Sequence, residues 1–120
     1  MKKVYIASPY TNGDKLEMVR LQIDAWHILR DRGLIPIAPL LTHYINEVRE
    51  RDHKDWLEYD FELLRICDYV IRLYPVNDLG ERIPSTGADI EEREAKRLGI
   101  PFYSFDTLQE LQTFVENTNF

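Results

Sequence analysis

Two hydrophobic patterns alternate along the chain. Short apolar runs, which predict buried strands, cover residues 4–7, 34–38, 69–74 and 101–105. Elsewhere apolar residues recur every three to four positions, as they do on amphipathic helices. Four of these helical segments cover residues 14–33, 45–51, 54–67 and 108–116. A further one carries Glu91 and ends at Gly99. Residues 40–44 are predicted to be loop.

Local signals refine the ends and faces of these elements. Asp14 is a candidate N-cap of the first helix, and Gly33 ends that helix. Pro36 and Pro39 favour an edge position or early termination of the second strand, because proline has no N–H to donate to a neighbouring strand. The predicted inward positions are Leu16, Val19, Ile23, Trp26 and Leu29 or Arg30 on the first helix, and Trp56, Tyr59 or Asp60, Leu63, Leu64 and Cys67 on the helix at 54–67.

The order of strands and helices predicts the fold class. Strands that alternate with helices predict an α/β three-layer sandwich, in which a parallel sheet of four to five strands has helices on both faces. Ligands of such folds bind beyond the carboxyl ends of the strands. Residues 8–13, 39–44 and 74–85, together with the start of the Glu91 helix, should therefore meet at one edge of the sheet.

Composition narrows the class of protein. A length of 120 residues suits one domain over residues 1–120. The net charge of −6 and the pI near 5.0 argue against a nucleic-acid polymer as partner. The chain contains no apolar run long enough for a membrane span, and its first residues read as a strand rather than a signal peptide. The single Cys67 fits a reducing, cytoplasmic setting. The histidines His27, His43 and His53 lack metal-ligand spacing, so no metal and no cofactor is predicted.

The segment from Pro84 to Ala95 carries the clearest functional signal. Residues three and four apart share a helix face, so Ala88, Glu91 and Ala95 form one stripe. A carboxylate between two alanines on an inward face is costly to bury without a partner or a function. Glu91 is therefore a candidate catalytic residue. A structural cap or salt bridge is the alternative interpretation.

The residues before Glu91 are suited to binding an anion or a hydroxyl group. Ser85, Thr86 and Gly87 place hydroxyls and free backbone N–H groups at the helix N-terminus, where phosphate groups bind readily. A simple N-cap is the alternative for Ser85 and Thr86, and both roles can coexist. Ser8 and His43 lie at the predicted rim of the sheet and are further candidates for substrate contact.

Two motifs together resemble the nucleoside 2-deoxyribosyltransferase superfamily. They are Val4-Tyr5-Ile6-Ala7-Ser8-Pro9-Tyr10, and the run from Ser85 to Ala95 followed by Leu98-Gly99-Ile100-Pro101. The superfamily contains the transferases, the 2'-deoxynucleoside 5'-phosphate N-hydrolases and many small bacterial and phage proteins, and the chain is most similar to the last group. The resemblance implies a flavodoxin-like or Rossmann-like fold and a homo-oligomer whose neighbouring subunit completes the pocket.

The resemblance also implies roles for single residues. Glu91 matches the nucleophile, and Tyr5 matches the tyrosine that orients it. Tyr10 matches an aromatic residue that packs on the base. Asp68 matches the acidic residue that opens the third strand and that contacts or protonates the base. From the sequence alone, Tyr5 could equally be an inward strand aromatic, and Asp68 a polar residue at a strand start.

Ser85 bears on whether the substrate is phosphorylated. The resemblance places Asp at this position in the transferases and Ser in the phosphate hydrolases. A serine hydroxyl can donate to a phosphate, whereas a carboxylate would repel it. The first loop lacks the basic residue of the hydrolases, and Arg72 or Arg82 are the other candidate cations. Phosphorylation of the substrate therefore stays open.

These observations predict an enzyme that cleaves the N-glycosidic bond of a 2'-deoxynucleoside or its 5'-monophosphate through a covalent Glu91 intermediate. Water as acceptor makes it a hydrolase, and a second base makes it a transferase. The alternative is a non-catalytic nucleotide-binding module of the same fold. The base preference, the sugar and the number of subunits stay open.

Overall fold

The computed structural model describes residues 1–8 and 15–120, apart from the side chains of Lys15, Thr42 and His43. The described strands are β1 (Lys3–Ala7), β2 (Ile35–Ile37), β3 (Tyr69–Leu73) and β4 (Phe102–Phe105). The described helices are α1 (Lys15–Asp31), α2 (His43–Val48), α3 (His53–Arg65), α4 (Thr86–Leu98) and α5 (Leu108–Glu116), and a 3-10 helix spans Pro39–Thr42.

The strands of the described residues form one parallel sheet in the order β2-β1-β3-β4. The chain leaves β1 toward β2 on one side and returns to β3 on the other, so the topological switch point lies between β1 and β3. In sheets of this kind, ligands bind at the carboxyl ends of the strands beside the switch point. The predicted parallel α/β sandwich is confirmed, and so is the edge position of the second strand.

Alternate residues of the central strands face two separate cores. Val4 and Ile6 of β1 pack with residues of α1 and α5, among them Leu29 and Leu111. Tyr5 and Ala7 face the opposite side of the sheet, where the second core is completed by the following residues of α3, β3 and α4 and the adjoining segment: Leu64, Cys67, Val70, Ala88 and Ala95. Because both faces are covered, the central strands are mostly apolar rather than alternating, with Lys3 at the start of β1 and the buried Arg72 in β3 as exceptions.

The buried face of α1 differs from the predicted one. Leu16 is 64% exposed and Ile23 is 38% exposed, although both were expected to face inward. The predicted Val19 and Leu29 are buried, and Met18, Gln22 and Ala25 are buried in addition. The prediction was wrong because it followed the most apolar residues, whereas the polar Gln22 occupies a core position where hydrogen bonds satisfy its amide. The candidate cap Asp14 lies outside the described residues.

The helix ends follow local chemistry. Gly99 ends α4 in the left-handed conformation at φ 71°, as expected for a glycine after a helix. Thr107 caps α5, and its hydroxyl accepts a hydrogen bond from the Glu110 N–H. Residues 40–44, predicted as loop, are helical instead: they lie in the 3-10 helix and in the start of α2. Because α2 begins at His43, the helix predicted over 45–51 starts and ends earlier in the structure.

Within residues 1–8 and 15–120, no helix combines the length and apolarity that a membrane crossing requires.

Candidate active site

A cavity of about 370 Å³ opens at the carboxyl end of β1, beside the switch point. Its volume falls within the ~300–1,000 Å³ typical of small-molecule sites. The described residues that line it come from β1 and the segment after it, α1, the 3-10 helix, the α2–α3 region and the start of α4: Ile6, Ser8, Gln22, Pro39, Leu40, Asn46, Glu50, Arg51, His53, Trp56, Leu57, Asp60, Ser85, Gly87, Ala88 and Glu91. Residues distant in the sequence thus converge on one edge of the sheet, as predicted.

The start of α4 forms one wall of the cavity. Ser85 is buried and caps the helix, and its Oγ accepts a hydrogen bond of 3.1 Å from the Ala88 N–H. Because the Ser85 oxygen serves as acceptor here, its hydroxyl hydrogen is left for a second partner. A Cβ placed on Gly87 would meet no atom within 4 Å, so a ligand can approach the backbone at this point. Thr86 is the exposed first residue of α4 and does not line the cavity.

Glu91 lies on the face of α4 that meets the sheet, with the fully buried Ala88 and Ala95 on either side. The Tyr5 hydroxyl donates a hydrogen bond to its Oε2. Burial raises the pKa of Glu91 to about 8, and the hydrogen bond from Tyr5 opposes this rise. Burial, followed by the charge of Glu91, raises the pKa of Tyr5 well above its usual value. Tyr5 therefore stays protonated and acts as the donor.

A second carboxyl group in the cavity comes from α3. Burial raises the pKa of Asp60 to about 6, and its charge in turn raises the pKa of Glu91. Among the described residues, the buried Oδ1 of Asp60 has no hydrogen-bond partner. Tyr59, the alternative inward residue at this turn, is 48% exposed, so Asp60 is the residue that α3 directs inward. A carboxyl with a raised pKa beside a candidate nucleophile has the properties of a proton donor.

The structure does not bring Asp68, the residue predicted to contact or protonate the base, to this cavity. Asp68 Oδ2 accepts a hydrogen bond of 2.8 Å from the Lys3 backbone N–H. Parallel strands begin at the same edge of a sheet, so Asp68, just before β3, lies beside the start of β1. The site occupies the opposite edge. Asp68 instead borders a surface depression that Lys2 and Arg32 also line.

The other predicted contacts divide into three groups. Ser8, Ser85 and Gly87 line the cavity together with Glu91. Tyr10 lies outside the described residues. His43 begins α2, but its side chain is not among those described.

Arg72 and Arg82 are engaged away from the cavity. Arg72 is only 4% exposed, and its Nη1 lies 2.6 Å from Asp89 and 3.0 Å from Glu92, both on α4. Arg82 pairs with Asp106 at 2.8 Å. Neither arginine lines the cavity. Arg72 instead fixes the helix that carries Glu91 against the sheet.

Sequence reasoning missed two polar groups of the cavity wall. The Gln22 amide donates to Ser8 Oγ at 2.7 Å and accepts from the Leu40 N–H at 3.1 Å. Asn46 Oδ1 accepts from Trp56 Nε1 at 2.7 Å and so joins α2 to α3. The available signal for Gln22 was a polar residue on the turn between Val19 and Leu29 of an amphipathic helix, the same kind of signal that identified Glu91.

Among the described residues, no group of three or more His, Cys, Asp or Glu side chains is arranged to hold a metal ion.

The fold and the cavity define a parallel α/β protein in which the carboxyl group of Glu91 lines a cavity beside the switch point of the sheet. The chain belongs to the family described as Domain of unknown function (DUF7768), whose sequence profile matches residues 2–105. No curated protein matches it.

Solved structures share the fold. A 2-deoxyribosyltransferase from the psychrotolerant bacterium Bacillus psychrosaccharolyticus superposes with a TM-score of 0.66 at 20% identity, over 98% of this chain and 93% of that one. A 2-deoxyribosyltransferase from Leishmania mexicana superposes with a TM-score of 0.61 at 20% identity, over 88% of this chain and 64% of that one. At this level of identity the likeness shows the fold.

Proposed function

We propose that the protein cleaves the N-glycosidic bond of a 2'-deoxynucleoside or its 5'-monophosphate, by hydrolysis or by transfer to a second base. The observation that carries the proposal is the position of Glu91 and its hydrogen-bond partner. It lies in a cavity at the switch point and accepts a hydrogen bond from a buried tyrosine. The shared fold with two 2-deoxyribosyltransferases supports the choice of substrate class.

Glu91 is the proposed nucleophile. Its ionised carboxylate attacks C1' of the sugar, the C1'–N bond breaks, and the bonding electrons leave with the base. Water or a second base then attacks C1' and releases Glu91, so the configuration at C1' is retained overall, as in retaining glycosidases. The Tyr5 hydroxyl holds the attacking carboxylate in place and favours its ionised form.

Asp60 is the proposed source of the proton that the departing base needs. Its raised pKa keeps it protonated at a pH where an ordinary aspartate is ionised. This assigns to Asp60 the role that the sequence resemblance gave to Asp68. Because the pKa of Glu91, about 8, is higher than that of Asp60, about 6, a single proton between the two lies mainly on Glu91. The first step therefore proceeds from the minor form, in which Glu91 is ionised and Asp60 is protonated.

The start of α4 is the proposed site of the 5' end of the substrate. Ser85 keeps a hydroxyl hydrogen to donate, and Gly87 allows close approach of a ligand to the backbone. Both features suit a 5'-phosphate at a helix N-terminus. Of the described residues that line the cavity, one is an arginine, Arg51.

Trp56, Leu57 and Leu40 offer apolar surface for a flat base. Tyr10 and His43 remain predicted substrate contacts, and the homo-oligomer remains a prediction.

A non-catalytic nucleotide-binding module is the second candidate. The observation that favours it is the pKa of Glu91, which at about 8 leaves most of this carboxyl protonated at neutral pH. A protonated carboxyl can bind a ligand, but it does not attack carbon. This candidate predicts nucleotide binding that survives Glu91→Gln and no turnover by either protein.

A chromatographic assay separates the two candidates. Wild type, Glu91→Gln and the control Glu58→Gln, which changes an exposed residue of α3, are incubated with each deoxynucleoside and each 5'-monophosphate, with and without a second free base. Free base released by wild type and Glu58→Gln but not by Glu91→Gln supports the proposal, and a new nucleoside identifies a transferase. Release by none of the three proteins would remove the catalytic proposal.

A further inference from the structure

Gln22 is a buried polar residue of α1 that contacts two other walls of the cavity. It is only 1% exposed. Its side-chain amide bonds Ser8, just after β1, and the backbone of Leu40 in the 3-10 helix. All three residues line the cavity that contains Glu91. A buried amide that joins three elements at the edge of a site is suited to orient another group there.

The contacts fix which end of the Gln22 amide faces Ser8. The backbone N–H of Leu40 can only donate, so the atom 3.1 Å from it must be the amide oxygen. The amide nitrogen therefore faces Ser8 and donates to its Oγ at 2.7 Å. Ser8 is thus the acceptor in this bond, and its own hydroxyl hydrogen is directed elsewhere.

We propose that Gln22 is a positioning residue that makes the Ser8 hydroxyl a hydrogen-bond donor toward the cavity, where it binds an acceptor atom of the nucleobase. The acceptor is a carbonyl oxygen or an unprotonated ring nitrogen. An exocyclic amine or a ring N–H at that point would meet another donor and be disfavoured. This inference rests on the proposed function, because it names the group of the substrate that this part of the site selects.

The position of Ser8 in the cavity favours a contact with the base rather than with the sugar. Ser8 and Gln22 line the cavity beside Pro39 and Leu40, which offer apolar surface to a flat ring. The sugar is assigned to the other wall, where Glu91 must reach C1' and where Ser85 and Gly87 lie one to two turns before it on α4.

A double-mutant cycle tests the coupling between the two side chains. Ser8→Ala is expected to lower kcat/KM about tenfold, chiefly through KM, because one hydrogen bond to the base is lost. Gln22→Met removes the amide while keeping similar bulk. It is expected to lower kcat/KM in the Ser8 background and to have little further effect when Ser8 is already Ala. A merely structural role of Gln22 would produce the same loss in both backgrounds, accompanied by the same fall in Tm.

Substrate analogues identify the acceptor. Purine and pyrimidine deoxynucleosides in which one ring nitrogen at a time is replaced by C–H, or a carbonyl oxygen is removed, are compared on wild type and Ser8→Ala. For the analogue that lacks the contacted atom, kcat/KM should be about tenfold lower than for the parent substrate with wild type, and almost unchanged with Ser8→Ala. If Ser8→Ala changes kcat/KM less than twofold for every substrate, the inference is overturned.

Calorimetric binding separates this inference from the catalytic proposal. The Kd of the same deoxynucleosides is measured for Glu91→Gln, with and without Ser8→Ala or Gln22→Met. If wild type shows no turnover but Ser8→Ala and Gln22→Met still weaken binding non-additively, the inference stands and only the catalytic proposal falls. Equal Kd values in all variants overturn the inference.

Discussion

Tyr5 and Glu91 are joined by a hydrogen bond although 86 positions separate them in the chain. Tyr5 is fully buried in β1, between Ile37 of β2 and Val70 of β3, so its ring has little freedom to move. Glu91 comes from the second turn of α4. The bond therefore exists only when helix and sheet are docked, and it holds the candidate nucleophile at a fixed place.

Replacing Tyr5 with Phe should lower kcat without abolishing binding. The hydrogen bond from Tyr5 opposes the rise in the Glu91 pKa, so its loss raises that pKa further above 8 and leaves less ionised nucleophile. A hydrogen bond to a charged group corresponds to a factor of about 10 to 100 in rate. Steady-state kinetics of base release measures the change.

Tyr103→Phe is the matched control for Tyr5→Phe. Tyr103 lies on the edge strand β4, is 37% exposed and does not line the cavity. Its substitution should leave kcat within twofold. An equal loss in both variants would show that the Tyr5 effect comes from the sheet rather than from the contact with Glu91.

The pH profile of kcat/KM should be bell-shaped. Below about pH 6 both Asp60 and Glu91 are protonated, so no nucleophile is present, and the rate rises as pH increases through this value. Above about pH 8 both are ionised, so no acid is present, and the rate falls. Asp60→Asn should abolish the alkaline limb and lower the maximum about 100-fold.

The same substitution should also move the acid limb. In wild type this limb lies near the Asp60 pKa of about 6, whereas in Asp60→Asn only Glu91 titrates, and burial still raises its pKa. The limb should therefore move to higher pH, but stay below about pH 8, because the charge of Asp60 no longer raises the Glu91 pKa. Asp24→Asn, on the exposed side of α1, serves as control and should keep the wild-type profile. An unchanged alkaline limb in Asp60→Asn would remove Asp60 as the acid.

Ser85→Asp should change the preferred form of the substrate. Aspartate caps helices as well as serine does, so the Ala88 N–H keeps its partner and α4 should stay intact. The new negative charge repels a 5'-phosphate but can accept a hydrogen bond from a free 5'-hydroxyl. The ratio of kcat/KM for the monophosphate to that for the nucleoside should fall at least about tenfold. An unchanged ratio would place the 5' end elsewhere.

Arg72→Met should destabilise the protein and displace α4. Arg72 is buried under the helix and bonds Asp89 and Glu92, both partly accessible to water. Water can therefore solvate the two carboxylates when the guanidinium is removed. The expected loss in the free energy of unfolding is about 2 kcal/mol, below the ~3–5 kcal/mol found for fully buried pairs. Arg97→Met removes an exposed guanidinium from Glu94, which keeps Arg65 as a second partner at 3.7 Å, and should cost less than about 0.5 kcal/mol. Urea unfolding of both variants measures the difference, and equal losses would contradict the role of Arg72.

The sequence pattern predicted the order of strands and helices because both cores impose regular burial. It identified Glu91 because a carboxylate on an apolar helix face stands out. It failed where a polar residue occupied a core position, as Gln22 does in α1. A helix face can be predicted from spacing, but spacing alone does not show that Ser8 and Leu40 lie close enough to satisfy that amide.

The choice between Asp60 and Asp68 shows a second limit of prediction from sequence. Asp60 lies within α3 and Asp68 lies just before β3, and a motif match alone selected Asp68. The register of β1 and β3 places Asp68 at the wrong edge of the sheet, beside Lys3. Helical periodicity did give Asp60, four residues before the buried Leu64, as an inward alternative to Tyr59, but it gave no reason to link Asp60 with Glu91.

Mass spectrometry of protein quenched during turnover tests the central claim most directly. On the peptide that contains Glu91, wild type should carry the added mass of one deoxyribosyl group after mixing with a deoxynucleoside, or of one 5-phosphodeoxyribosyl group after mixing with its monophosphate. Glu91→Gln should carry neither. The modification should disappear when water or a second base completes the reaction. A deoxyribosyl group on any other residue, or base release by Glu91→Gln at the wild-type rate, would contradict the account.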